Sequence, residues 1–324
     1  MRYVTLTRVL TALTILLCAG CGHSSQPLRI GYSDWPGWVA WEVAIEKGWF
    51  AEAGVDVQFE WFDYVASMDA FAAGQLDAVA MTNGDTLVTG ASGRRAVMLL
   101  LNDFSNGNDM IVASPGIEDI AGLKGKRVGV EIGFVGHLLL LQALESAGLT
   151  EKDVELVNVP TNETPLVLSS GGVDAIVAWQ PNSSQALAAL PGSKAIFTSA
   201  DVPGLIYDTL AVAPESLATR KQDWQRIVEV WYRIVDYLED PAQREDALEI
   251  MAARVGLSGE QYATFMGGTQ FLSRAEAQAR MLGEGDGLGT LLGSTRLAHQ
   301  FNRSYGVYDA EFDPAGFVDA SFYR

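Results

Sequence analysis

GYSDWPGWVAWEVAIEKGWF, residues 31–50, is the stretch whose reading decides the fold. It continues a short apolar run, Leu28 to Tyr32, that reads as a buried strand. Ser33 and Asp34 are polar residues at that strand's carboxyl end. Pro36 suits a first helical turn, because its φ is fixed near the helical value and its missing N–H is not needed there. Trp38, Trp41 and Ile45 recur at i, i+3 and i+7, a spacing that predicts one apolar helix face. Trp35 directly precedes the proline, is biased away from helical φ/ψ, and stands apart from that face. A strand ends, a carboxylate and three tryptophans crowd the turn, and a helix begins. Ligands of open α/β sheets sit at the carboxyl ends of strands. This turn is therefore read as the first wall of a small-molecule site.

Outward from the turn, strand-like and helix-like runs alternate, which predicts an α/β fold. Gly54 leads into an extended run, Val55–Trp61, and a helix over Val65–Ala73 leads into AAGQLDAVAM, residues 72–81. A later helix ending near Ser170 leads into SSGGVDAIVAW, residues 169–179. Both copies read helix, glycine, apolar residue, Asp-Ala, apolar strand, and Asp77 and Asp174 hold the same place in them. A repeated supersecondary unit predicts two similar lobes. GLKGKRVGVEIGFVGHLLLLQAL, residues 122–144, opens the second: a basic turn, a strand over Arg127–Val130, a loop bracketed by Gly133 and Gly136, and a helix over Val135–Ala147 with His137 at its mouth. Asp109–Ala113 and Ile206–Ala213 are extended apolar segments ending at Pro115 and Pro214, and they read as two crossover strands. Residues 28–112 with 208–324 are expected to form lobe 1, and residues 113–207 lobe 2. From Glu215 onward Trp224, Ile227, Trp231, Ile234 and Leu238 recur at helical spacing, so helices are expected outside the first lobe.

The amino terminus is of another kind. Arg2 and Arg8, an apolar run from Val9 to Leu17 and small residues after it predict a secretory signal over residues 1–20. Ala19 and Gly20 stand just before Cys21, as at a bacterial lipoprotein cleavage site, so Cys21 is expected to carry lipid and residues 21–27 to be a tether. A lipidated Cys21 leaves the mature chain no disulfide, so its stability must come from burial. No later run is long and apolar enough to span a membrane. The formal charge of −18 disfavours nucleic-acid partners. Nucleophile-elbow, P-loop, dinucleotide and HExxH motifs are missing, and His23, His137 and His299 have no metal-ligand spacing. No enzyme, cofactor or metal is expected.

Together the lipoprotein-type start, the Asp-Trp turn, GWFAEAGVDV, AAGQLDAVAMTNGD, IAGLKGKRVGV and GVDAIVAWQP resemble one family. It is that of the substrate-binding proteins of nitrate/taurine-type ABC importers, over about residues 28–320. The runs SNGNDMIV and GLIYDTLAV further resemble a branch associated with urea-carboxylase-related and guanidine-degrading systems. The resemblance implies a periplasmic-binding-protein-like fold of type II: two α/β lobes joined by two crossovers, closing on a small solute. It implies a monomeric receptor in the periplasm or on the cell surface, held to the membrane by its lipid alone, which delivers solute to ABC permease subunits. Carried onto this chain, it places the site at Ser33, Asp34, Trp35 and Trp38; at Asn83 and Asp85; at Asp109; at Glu131, Phe134 and His137; at Trp179 and Gln180; and at Asp208.

Those loops hold five acids and neither lysine nor arginine. An anion site needs free N–H groups and usually a basic residue or a hydroxyl cluster, so the solute expected here is a small nitrogen-rich cation. Planar guanidinium matches best, since it offers parallel N–H pairs to a carboxylate and stacks on indole. Three other readings stand beside this one. They are an anion or neutral solute such as nitrate, a sulfonate or a urea-like amide; a sensory lipoprotein; and an enzyme like the thiamine-pyrimidine synthases, which would need a lysine and a paired histidine.

Overall fold

The computed structural model describes residues 26–324. The signal-like segment, Cys21 and the start of the tether lie outside the described residues. Among the described residues eleven strands form two sheets. In chain order they are β1 Leu28–Tyr32, β2 Val57–Trp61, β3 Ala78–Thr82, β4 Val97–Ser105, β5 Asp109–Ala113, β6 Arg127–Val130, β7 Glu155–Asn158, β8 Ala175–Trp179, β9 Lys194–Thr198, β10 Tyr207–Val212 and β11 Thr269–Phe271. The first sheet runs β11-β4-β10-β3-β1-β2 and the second β7-β6-β8-β5-β9.

The internal repeat is realised in the topology. β1 lies parallel to β2 and β3, and β6 lies parallel to β7 and β8. In each sheet the third strand then meets an antiparallel neighbour, β10 or β5. Asp77 accepts from the backbone N–H of Arg29 at 2.9 Å, and Asp174 accepts from that of Arg127 at 2.9 Å. The two aspartates thus do one task in both lobes, tying the start of a parallel strand to its neighbour.

The expected strands are present with small differences at their ends, but the crossings lie elsewhere. β5 pairs with β8 and β9, so the outgoing chain changes sheet at residues 106–108, before Asp109 and not at 113. The returning chain crosses at residues 199–206, ahead of β10. Hydrogen bonding decides membership here: a strand belongs to the sheet whose ladder satisfies its backbone. The crossings run side by side, with the Ser105 and Ser199 hydroxyls 2.7 Å apart and the Gly107 N–H donating to Ser199 at 2.6 Å.

The helix predicted after Pro36 is broken. Segments Pro36–Val39 and Trp41–Glu46 are separate, with the interruption at Ala40. The face does not continue across the break, and Ile45 is left exposed while Trp38 and Trp41 are buried. Trp41 is pure core, 4.6 Å from Trp231 and 5.3 Å from Phe59 between ring centres. Trp231 belongs to the 19-residue helix Lys221–Glu239, which buries Trp224, Ile227, Ile234 and Leu238 along the predicted stripe. The C-terminal helices lie on the first lobe, as their apolar faces require. The helix Leu291–Ser304, for example, meets Asn83 through Ser294.

Candidate functional site

Parallel strands bring their carboxyl ends to one edge of each sheet, and the antiparallel strands start at the same edge. Asp208 stands opposite both Thr82 of β3 and Asp103 of β4, and Asp109 stands opposite Trp179 of β8. The two edges face each other and enclose two adjoining cavities. The inner one holds about 210 Å³ of space between atoms and is lined by Trp35, Trp38, Tyr64, Thr82, Asp109, Val135, Trp179, Ile206 and Asp208. The outer one holds about 330 Å³ and is lined by Asp34, Glu131, Thr161, Asn182 and neighbours, and it shares Tyr64 and Trp179 with the inner. So small a space limits the inner cavity to a solute of few heavy atoms.

Aromatic rings form its walls. Trp38 stacks on Tyr64 with centroids 5.3 Å apart, Trp179 meets Tyr64 edge-on at 5.3 Å, and Trp35 meets Trp38 at 6.5 Å. Neither cavity is lined by lysine or arginine. The carboxylates are buried among these rings. The Oδ2 atoms of Asp103, Asp109 and Asp208 are buried and have no hydrogen-bond partner. Burial, which disfavours the charged form, pushes Asp109 up to about 7. It also pushes Asp103 up to about 7 and Glu131 up to about 7. Asp208 is held well above the carboxylate range, first by burial and then by Asp103 and Asp109.

Of the residues expected at the site, the structure brings Trp35, Trp38, Asp109, Trp179 and Asp208 to the inner cavity, and Asp34, Glu131 and again Trp179 to the outer. Asp34 is already engaged across the cleft. Its Oδ1 accepts from Trp179 Nε1 at 2.9 Å and its Oδ2 from Asn182 Nδ2 at 2.8 Å. Asp85 is likewise a connector: its Oδ2 accepts from the Tyr64 hydroxyl at 2.7 Å and from the Val135 N–H at 3.3 Å, while Thr82 caps its own helix start. Burial pushes Asp85 up to about 6.

Six expected residues line neither cavity: Ser33, Asn83, Asp85, Phe134, His137 and Gln180. Asn83 donates to Ser294 and accepts from the Tyr207 N–H, fastening the first lobe internally. Gln180 follows β8, and its N–H bonds to the Asn108 carbonyl. Ser33 is buried just after β1. Phe134 precedes the helix Val135–Ser146 and packs on the core. His137 accepts from the Gly133 N–H through Nδ1 and lies 3.9 Å from Glu151 through Nε2, inside the second lobe. Burial lowers it to about 4.

Sequence reasoning missed Asp103 and Tyr64. Asp103 had a signal: it is an acid at the end of an otherwise apolar run, Val97–Leu101. Trp35 Nε1 donates to its Oδ1 at 3.0 Å. Tyr64 had none, since a tyrosine at a helix start reads as core.

Three comparisons bear on this geometry. A Brucella abortus protein named as a binding protein is 28% identical over 231 residues, 70% of either chain. The periplasmic aliphatic sulphonate binding protein SsuA of Escherichia coli superimposes with a TM-score of 0.73 at 20% identity, over 93% of this chain and 99% of its own. The periplasmic nitrate-binding protein NrtA of Synechocystis PCC 6803 superimposes with a TM-score of 0.70 at 11% identity, over 93% of this chain and 88% of its own. These are the nitrate- and sulfonate-type proteins toward which the sequence motifs pointed, and the fold is that of the periplasmic binding proteins. The profile of the NMT1-like family matches residues 22–252, and the chain belongs to that family.

Proposed function

We propose that the protein is the extracytoplasmic solute-binding component of an ABC importer and that its solute is a small planar cation, best represented by guanidinium. The observation that carries the reading is the pair of partnerless, buried Oδ2 atoms of Asp109 and Asp208 on one aromatic cavity with no basic residue in its lining. A nitrate or sulfonate would bring a further negative charge beside these carboxylates. At 4 Å and an effective dielectric of 20, each contact with an ionised carboxylate costs about 4 kcal/mol. A cation reverses the sign: each charge-assisted contact contributes about 1.5–3 kcal/mol, and each aromatic face about 0.5–2 kcal/mol when dry. The runs that resemble the guanidine-associated branch, SNGNDMIV and GLIYDTLAV, are the ones that carry Asp109 and Asp208.

The receptor role rests on the family, on the two-sheet cleft and on sulfonate- and nitrate-binding relatives of the same fold. A secreted, Cys21-lipidated monomer that hands solute to permease subunits completes the reading. Mass spectrometry of the N-terminal peptide tests the lipid, and a free Cys21 thiol overturns it.

Calorimetry with guanidinium, urea, nitrate and methanesulfonate tests the solute. Guanidinium is expected to bind in the micromolar range and urea far more weakly. Tight nitrate or methanesulfonate binding with no response to guanidinium overturns the cation and leaves the receptor role standing. One observation favours a neutral amide as the second reading: with Asp109 pushed up to about 7, a protonated carboxyl is available to donate near neutral pH. Urea binding as tightly as guanidinium at pH 6 would mark that case.

A further inference from the structure

We infer that Asp103 and Asp208 share one proton in the empty site, and that this proton is released when a cation is captured. The inference rests on the cation reading and adds to it a residue and a regulation. Asp103 and Asp208 stand opposite each other on β4 and β10, both buried, at a cross-strand position where side chains on one face lie about 4.5–5.5 Å apart at Cβ. Each has a buried Oδ2 without a hydrogen-bond partner. Two ionised carboxylates are acceptors only, so neither can satisfy the other until one of them carries a proton.

Asp103 is fixed in place. Trp35 holds its Oδ1, and its Oδ2 lies 1.9 Å from where a Cβ on residue 37 would be. Only a glycine at 37 lets the carboxylate nest there. Asp103 does not line the cavity, whereas Asp208 does. Asp103 is therefore a positioning residue acting through its neighbour.

The other ionisable groups that bear on the pair give it no compensation. Asp109 comes from β5, Asp85 from the helix Asn83–Ala91, Asp34 from the turn after β1, and Tyr64 and Tyr262 from the helices that cover the site. Arg280 donates to the hydroxyl of Tyr207 at 3.0 Å. Tyr207 neighbours Asp208 along the strand, so their side chains leave β10 on opposite faces. Two carboxylates in one dry site retain a proton far above the ordinary range. An arriving cation supplies the missing positive charge. The O–H bond of Asp208 then breaks, its electron pair stays on oxygen to accept the solute's N–H, and the proton passes to the buffer.

Calorimetry of the whole protein with guanidinium at pH 7, in two buffers of different ionisation enthalpy, reads the proton count directly. Close to one proton released per solute is expected, with affinity rising up to tenfold per pH unit between pH 6 and 8. In Asp103→Asn the release is expected to fall to near zero and the pH slope to flatten. Release that persists in Asp103→Asn shows that the proton does not depend on the pair, whether it then sits on Asp208 alone or on Asp109, and overturns the inference. Binding without release overturns it while leaving the cation reading intact, and no guanidinium binding at any pH overturns both. Should Asp103→Asn fail to fold, infrared spectra of the wild type at pH 8 decide. A protonated-carboxyl band must be present in the ligand-free protein and vanish with guanidinium, and lack of the band overturns the shared proton.

Discussion

Asp109→Asn is the change that separates a binding carboxylate from a structural one, because the two roles predict opposite signs. The substitution keeps shape and removes the ionisable oxygen from the inner cavity. If the carboxylate pairs with the solute, guanidinium affinity falls by the worth of one charge-assisted contact, about 1.5–3 kcal/mol, or roughly 10–100-fold. The empty protein responds the other way. Asp109 is raised from 3.8 to about 7 by burial, and its backbone N–H rather than its carboxylate is what Ser105 accepts from. Above pH 7 the native state must hold a buried charge that the unfolded chain hydrates freely. A change from 3.8 to about 7 corresponds to at most on the order of 4 kcal/mol at high pH. Relaxation reduces that figure, so a melting temperature a few degrees above wild type is expected at pH 8. Near pH 5 the native wild-type carboxyl is protonated and the gain shrinks. Scanning calorimetry at pH 5 and 8 and titration calorimetry with guanidinium at pH 8 read both effects. An Asp109→Asn protein with wild-type guanidinium affinity, or one destabilised at pH 8, refutes the reasoning.

The ligand-free wild type should lose stability as pH rises from 5 to 8. Asp85 at about 6 and Asp103, Asp109 and Glu131 at about 7 bind protons more tightly folded than unfolded, and His137 at about 4 opposes them only below its ordinary 6.5; a melting temperature that climbs over this range contradicts the burial account. Asn182→Ala removes a donor to Asp34 without touching the inner cavity, and should weaken guanidinium binding several-fold while leaving its proton release unchanged; unaltered affinity shows that the bond does not matter to closure. Trp231→Ala empties the contact with Trp41 and should destabilise by about 3–5 kcal/mol in urea titration, with little change in affinity per folded molecule. X-ray scattering should show a smaller radius of gyration with guanidinium than without; equal radii at saturation, with an open ligand-free form, contradict closure about residues 106–108 and 199–206.

Much of this was legible because periodicity and repetition are local properties. The Asp-Ala echo at Asp77 and Asp174 announced two equivalent strand starts, and both aspartates make the same bond to a neighbouring strand. Trp35, Trp38, Trp179, Asp109 and Asp208 were legible because strand ends in such sheets converge. What a given acid does once it arrives was not legible. Asp34 and Asp85 sit in the right loops, yet their oxygens are taken by donors from 21 to 148 residues away in sequence. His137 turned inward, where the loop just before its helix offers Nδ1 a backbone donor, Gly133. Ile45 fell out of register through a break at Ala40 that no residue type signals. Asp103 was hidden by its own strand, whose apolar run drew attention away from the acid at its end.

The engaged acids explain how a cavity this small can select at all. The inner cavity draws Asp208, Trp35 and Trp38 from one sheet edge and Asp109 and Trp179 from the other, so a solute touches all of them only when the edges meet. That same meeting is when Asp34 receives Trp179 and Asn182, and when Asp85 receives the start of the second lobe's helix. Trp179 belongs to both events: its ring lines the cavity and its Nε1 closes the latch. Latch and solute therefore favour one closed state, and the observed affinity is the intrinsic affinity scaled by the fraction of molecules already closed. The latch cannot be too strong, or the empty protein would stay shut. Burial supplies that limit, since bringing Asp34 out of water raises the free energy of its charged form and offsets part of what its two bonds contribute. On the proposed reading a cationic solute beside Asp34 would remove some of that penalty, whereas an anion would add to it. On the proposed cation reading, charge selection would be exercised twice, at the cavity carboxylates and again at the latch, and a solute of the wrong sign would meet an open cleft.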